Sequence, residues 1–115
     1  MDLTMKNKRT SQIVSPHVQE ARHIFQRLKG LMGHKGLTPG HALWIPKCNW
    51  IHTMFVRTPL DVIYLDESLR VVDVQLNLQP WRLPLPRLRA RSVLEFQAGS
   101  LADHDLKIGD ELLCG

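Results

Sequence analysis

Between residues 48 and 67 a thiol, an imidazole, a hydroxyl and three carboxylates stand in a run that otherwise reads as buried strand: Cys48, His52, Thr53, Asp61, Asp66 and Glu67. A polar group left unpaired in a core costs about 1–3 kcal/mol, so such groups mark either a satisfied structural contact or a functional surface. Cys48 and His52 are four apart and share a face if the chain is extended. With Asp61, His41 or His34 as a third ligand they suit zinc, which accepts thiolate, imidazole and carboxylate donors. With Asp61 orienting the ring they suit a thiol nucleophile and its base. With neither, His52, Thr53 and Asp61 offer convergent polar contacts in an apolar cleft. The plain structural alternative is a strand histidine bonded to a neighbour, a buried thiol, and an Asp61 carboxylate that caps the Thr58-Pro59 turn or pairs with Arg57. No tight ligand spacing or nucleophile signature is present, so we assign no metal, cofactor or catalytic residue from the sequence.

A second chemically able stretch spans residues 79–91, with three prolines, Trp81, and arginines at 82, 87, 89 and 91 but no acidic residue. An indole beside a guanidinium can stack on and pair with an anion, a nucleotide or a sugar. Cys48, His52, Thr53, Asp61, Trp81 and Arg82 therefore form the candidate ligand-binding set. The expected function is binding of a modest anionic or saccharide-like ligand, with a metal- or thiol-dependent hydrolase or a protein-interaction adaptor as alternatives. A nucleic-acid partner is disfavoured by a net charge of only +4, 6% aromatic content and the absence of a recognition-helix pattern.

The elements that must position these groups follow from composition and periodicity. A chain of 115 residues, 43% hydrophobic and 23% charged, fits one globular domain. Residues 1–14 read as an arm with a possible first strand, and residues 15–115 as the domain. No apolar run approaches the roughly 20 residues that span a bilayer, and positive charge at the start has no apolar stretch behind it. The expectation is a cytoplasmic protein without a membrane partner, its two cysteines, Cys48 and Cys114, free. Ser15-Pro16 followed by Val18, Ala21, Ile24, Phe25 and Leu28 predicts an amphipathic helix ending at Gly30. Strands are predicted at residues 42–45, 50–56, 60–65, 69–78, 92–97 and 111–114, the third and fourth as an antiparallel hairpin. A capping pattern from Gly99 predicts a short helix through Leu106. The fold class is thus α+β, mainly β: a small, bent antiparallel or mixed sheet, barrel-like, with one helix in the N-terminal half and one short C-terminal helix. The hairpin should return Pro80 and Trp81 close to Pro59 and Asp61, so that both chemically able stretches meet in one cleft.

The order of motifs carries a resemblance. Arg27-Leu28-Lys29-Gly30-Leu31-Met32-Gly33, Cys48-Asn49-Trp50-Ile51-His52-Thr53-Met54, Pro59-Leu60-Asp61-Val62-Ile63-Tyr64-Leu65-Asp66, Val93-Leu94-Glu95 with Ala98-Gly99, and Ile108-Gly109-Asp110 follow one another as in the domain-of-unknown-function-192 family. The resemblance runs from about His23 to the C-terminus. It implies a compact, mainly β, barrel-like fold with a helix near the N-terminus, and no established activity. Many members follow a membrane-export segment, and the variant Trp50-Ile51-His52-Thr53-Met54 replaces their usual tryptophan-methionine-lysine-asparagine-threonine pattern.

Overall fold

A computed structural model describes residues 3–21, 40–53 and 58–115. Seven strands follow in chain order: β1 (Leu3–Asn7), β2 (Ile13–Glu20), β3 (His41–Pro46), β4 (Leu60–Leu65), β5 (Val71–Leu78), β6 (Ser92–Gln97) and β7 (Leu112–Cys114). They form one mixed sheet in the order β5-β4-β6-β3-β2-β1-β7. Among the described residues only β2 and β3 pair in parallel, and the 20 residues between them suit the long crossover that a parallel pair requires.

The sheet curls into a half-barrel because its inward side chains need one another. Met5, Val14, Val18, Ala42, Ile63, Leu65, Val71, Leu94, Phe96 and Leu112 form a single buried cluster to which every strand contributes. Its two ends meet where Arg70 bridges Glu111, through Val71 N–H to the Asp110 carbonyl at 2.8 Å and Leu112 N–H to the Leu69 carbonyl at 2.8 Å. Joining the ends leaves less open edge for another chain to pair with. The opposite face carries a second cluster, with Leu43, Ile45, Leu60, Val62, Tyr64 and Val93 from the strands and Ile51 and Ala90 from the segments that cover them. Apart from Asp61, strand β4 is apolar on both faces and is buried along its whole length.

Two helical expectations change. Residues 15–20 belong to β2, where Val18 pairs with Leu3 and with Ala42, and Ala21 N–H donates to the Trp44 carbonyl of β3; residues 22–30 of the predicted helix lie outside the described residues. Ser-Pro is a helix-start signal only when the serine caps, whereas here the Ser15 hydroxyl donates to the Gly40 carbonyl at 2.6 Å. Pro16, which has no N–H for a ladder, sits where the β1–β2 register shifts. The predicted helix after Gly99 is a series of tight turns, with Ser100, Ala102 and His104 N–H groups reaching the carbonyls of Gln97, Gly99 and Leu101. The amides of Gly99 and Leu101 instead go to Asp61. Among the described residues there is no helix, and none is long and apolar enough to cross a membrane.

The stretch read as an arm supplies β1 and the start of β2. Strand β1 runs between β2 and β7, pairing on both sides, and Thr4 exchanges both backbone bonds with Gly115 at 2.9 Å. Just after it, the Arg9 guanidinium grips Asp110 at 2.7 and 3.0 Å, while the Asn7 amide donates to the same carboxylate at 3.0 Å. The hydrogen bonds from Arg9 hold the Asp110 carboxyl well below the usual carboxylate range.

Candidate functional site

Of the strand predicted at residues 50–56, residues 54–56 lie outside the described residues and residues 50–53 join no ladder of the sheet. Their backbone partners lie in the long loop instead, and the two segments run side by side in opposite directions. Cys48 N–H meets the Arg91 carbonyl at 3.0 Å, Arg87 N–H the Asn49 carbonyl at 2.9 Å, and Thr53 N–H the Arg82 carbonyl at 3.0 Å. The Trp50 indole N–H donates to the Pro84 carbonyl at 2.5 Å. A proline-rich loop cannot form a continuous ladder, since each proline removes a donor, so side chains supply part of the pairing.

Thr53 is the centre of this zip. Its buried hydroxyl donates to the Gln79 carbonyl at 2.7 Å and accepts from Arg82 N–H at 2.7 Å, while its own carbonyl accepts from Trp81 N–H at 2.7 Å. Both contacts require the chain to turn sharply, and Trp81 does so with φ at 63°, a region non-glycine residues enter rarely and at a cost. The Trp81 loop and the segment after Cys48 are thus brought together, with Thr53 as the hinge between them.

Asp61 is placed differently. It pairs with Phe96 across β4–β6 and shares that residue's inner face, whereas Leu60, Val62 and Tyr64 point to the outer face. Its carboxylate, 2% exposed, accepts three backbone amides: Asn77 at 2.9 Å, Gly99 at 3.0 Å and Leu101 at 3.2 Å. Cys48 and Ile51 pack over the outer face, so Asp61 does not join Cys48 and His52 in one cluster. The Cys48 thiol donates to the Trp50 carbonyl at 2.8 Å, and the half-buried His52 ring lies 5.5 Å from the Trp50 ring. Neither cysteine is in a disulfide. Among the described residues, no group of three His, Cys, Asp or Glu side chains is arranged to hold a metal ion.

Asp61 and Thr53 instead act on one stretch from its two ends, the first fixing Asn77 and the second fixing Gln79 and Arg82. Between β5 and that stretch opens a cleft of about 330 Å³, lined by Gln75, Asn77, Gln79 and Arg82 with Leu78 and Leu83. Arg82 is in no ion pair among the described residues; one of its nitrogens donates to the Pro80 carbonyl at 3.3 Å. Gln75 is oriented by its oxygen, which takes the Tyr64 hydroxyl at 3.3 Å and Arg87 at 3.4 Å. Arg87 itself is committed to structure: it pairs with Asp73 at 2.9 Å and lies 4.5 Å over the Tyr64 ring. Burial pushes the Tyr64 phenol up, the Arg87 charge opposes this, and the Asp73 and Glu95 carboxylates add to it.

Sequence reasoning missed Gln75, Asn77 and Gln79, whose alternation with apolar residues reads as an ordinary solvent face. It also passed over Glu95, 1% exposed on the outer face of β6 opposite Leu43 and Val62. The rule that singled out Asp61, a carboxylate inside an apolar strand, applies equally to Glu95.

Fold and loop together define a small β half-barrel whose outer face is covered by a paired segment and loop. The sequence profile of the DUF192 family, described as Uncharacterized ACR, matches residues 4–114, and the chain belongs to that family. A UPF0127 protein of Thermococcus sibiricus is 31% identical over 110 residues, 92% of this chain and 71% of the relative. Another, from Pyrococcus abyssi, is 34% identical over 101 residues, 83% of each. Two crystal structures share the fold. A protein of unknown function from Novosphingobium aromaticivorans superposes with a TM-score of 0.77 at 23% identity, covering 98% of this chain and 84% of that one. A Sinorhizobium meliloti protein, described as a candidate transcription regulator, superposes at 0.80 with 19% identity, covering 97% and 91%.

Proposed function

We propose that this domain is a non-catalytic binding module that takes a modest anionic or saccharide-like ligand in the cleft between β5 and residues 79–84. The observation that supports this reading is that Arg82, which is in no ion pair among the described residues, lines one cleft with Gln75, Asn77 and Gln79 and with the apolar Leu76, Leu78 and Leu83. A guanidinium recognises a phosphate or carboxylate through paired donors. Amides that both donate and accept suit hydroxyl groups, and apolar side chains suit the face of a sugar ring. Thr53 and Asp61 serve as positioning residues, holding the wall of the cleft rather than reaching into it. Cys48 and His52 support the covering segment. A hydrolase reading is less favoured because the Asp61 oxygens are engaged by backbone amides on the inner face.

The test is an NMR titration with glucose 6-phosphate, which carries both chemistries, alongside glucose and inorganic phosphate. Saturable shifts should appear in the amides of residues 75–82, and Arg82→Gln should abolish those caused by phosphate. Absence of saturable shifts in that stretch with all three probes would sink the proposal.

A further inference from the structure

The loop exposes apolar side chains that the cleft explains only at Leu83, since Leu85 and Leu88 are not part of its lining. Leu83, Leu85 and Leu88 are 66%, 80% and 79% exposed. Single exposed leucines are normal, but three within six residues of one loop concentrate exposed apolar surface there in a way that asks for a partner. These side chains are not free to fold back. Leu83 and Leu85 each precede a proline, which confines them to extended conformations. The chain around them is fastened at Arg82 to the Thr53 hydroxyl, at Pro84 to the Trp50 indole, and at Arg87 to Asn49 and Asp73. A turn closed by Ala90 N–H on the Arg87 carbonyl at 2.9 Å puts Leu88 and Arg89 at its corner.

Charge identifies the kind of surface that would receive them. Arg89 and Arg91 follow on the same loop, and Lys47 lines a hollow together with Arg91. None of these three cations is in an ion pair among the described residues. The sequence has no acidic residue between Asp73 and Glu95; Asp73 is held by Arg87, and Glu95 is buried. Projecting leucines with cations beside them, and two prolines that carry no N–H to desolvate, match the layered chemistry of an anionic lipid interface. There apolar groups enter the acyl boundary and cations remain with the phosphates. Such an interface accepts separate side chains without a shaped pocket. A second copy of this chain would instead bring like charges together.

We propose that residues 83–91 dock the domain on the surface of a membrane rich in anionic lipid. This surface adjoins the Arg82 cleft at Leu83 and Pro84, but Leu85 and Leu88 lie outside that cleft's lining, so it stands whether or not the cleft takes a ligand.

The experiment is flotation of the full chain with vesicles of equal parts phosphatidylcholine and phosphatidylglycerol, compared with phosphatidylcholine alone. Binding to the mixed vesicles at low salt should exceed binding to neutral ones by about tenfold or more, as expected for several cations near an anionic surface. Arg89→Gln with Arg91→Gln should remove most of that preference. Leu85→Ser with Leu88→Ser, at exposed positions where the fold is not strained, should weaken binding at least as much, with an unchanged thermal melt confirming the fold. No flotation with mixed vesicles overturns the proposal. So does flotation that the leucine variant leaves intact, since charge alone would then account for it. Self-association abolished by the leucine variant, without vesicle binding, would reassign the patch to a second copy, and capture by an acidic protein without vesicle binding would reassign it to a protein partner.

Discussion

Replacing Asp61 by alanine removes the acceptor of three backbone amides that belong to two different parts of the fold, β5 at Asn77 and the turn at Gly99 and Leu101. Hydrogen bonds to a charged group contribute about 1.5–3 kcal/mol each, which would give about 4.5–9 kcal/mol for three if they were independent. They are not independent, because one carboxylate serves all three and water can reach the side chain's place from the hollow beside Asn77, Gly99 and Ala102 once it is gone. The expected loss is therefore about 3–5 kcal/mol, a large share of the roughly 5–15 kcal/mol that holds a domain of this size together. In urea, with a slope of about 1.5 kcal/mol per molar, the midpoint should fall by about 2–3 M. Asp61→Asn retains an oxygen but turns an NH2 group toward one of the amides, so it should lie between wild type and alanine at about 1–3 kcal/mol. A loss under about 1 kcal/mol for alanine, with the slope unchanged, would mean that the three amides find other partners and that the clamp is not what fixes β5 to the turn.

Thr53→Val keeps the shape but deletes both hydroxyl bonds to residues 79 and 82; it should cost about 1–3 kcal/mol and raise amide exchange at Arg82, whereas Thr53→Ser should preserve both. Equal exchange in valine and wild type would contradict the hinge role. Because the Asp110 carboxyl sits below its ordinary range in the folded chain, it adds stability that is present above its unfolded value of about 3.9 and is lost as pH falls below that value. Urea midpoints measured between pH 7 and pH 3 should therefore fall less in Asp110→Asn than in wild type, and parallel pH profiles would refute the linkage.

The hairpin of β4 and β5 was legible because both its signals are local: an almost unbroken apolar run, then alternation of Val72, Val74 and Leu76 with Asp73, Gln75 and Asn77. The curled sheet was legible as a class for the same reason, many short strands with little helix. What stayed hidden is register. Asp61 stands out as a polar residue in a buried strand, yet its partners lie 16, 38 and 40 residues away, and only the pairing of β4 with β6 decides which face it takes. Ser15-Pro16 misled because the same dipeptide serves a helix start and a bulged strand, and the choice is made by Gly40 and Leu3 across the sheet. The cleft residues of β5 had no local signature, since an amide that faces a ligand and one that faces water look alike along the chain.

The position of β1 between β2 and β7 bears on how the polypeptide emerges during translation. Strand β7 leaves the ribosome after the other six strands, and until it arrives β1 has one bare edge and the seam at Arg70 is open. Nascent chains with such an edge are prone to join one another. Lys6 within β1 and Lys8 and Arg9 just beyond it put charge on that edge during the wait, the kind of residue that discourages intermolecular pairing. The short segment Leu112–Cys114 thereby completes the sheet for residues synthesised some hundred positions earlier, as Met5 with Cys114 shows.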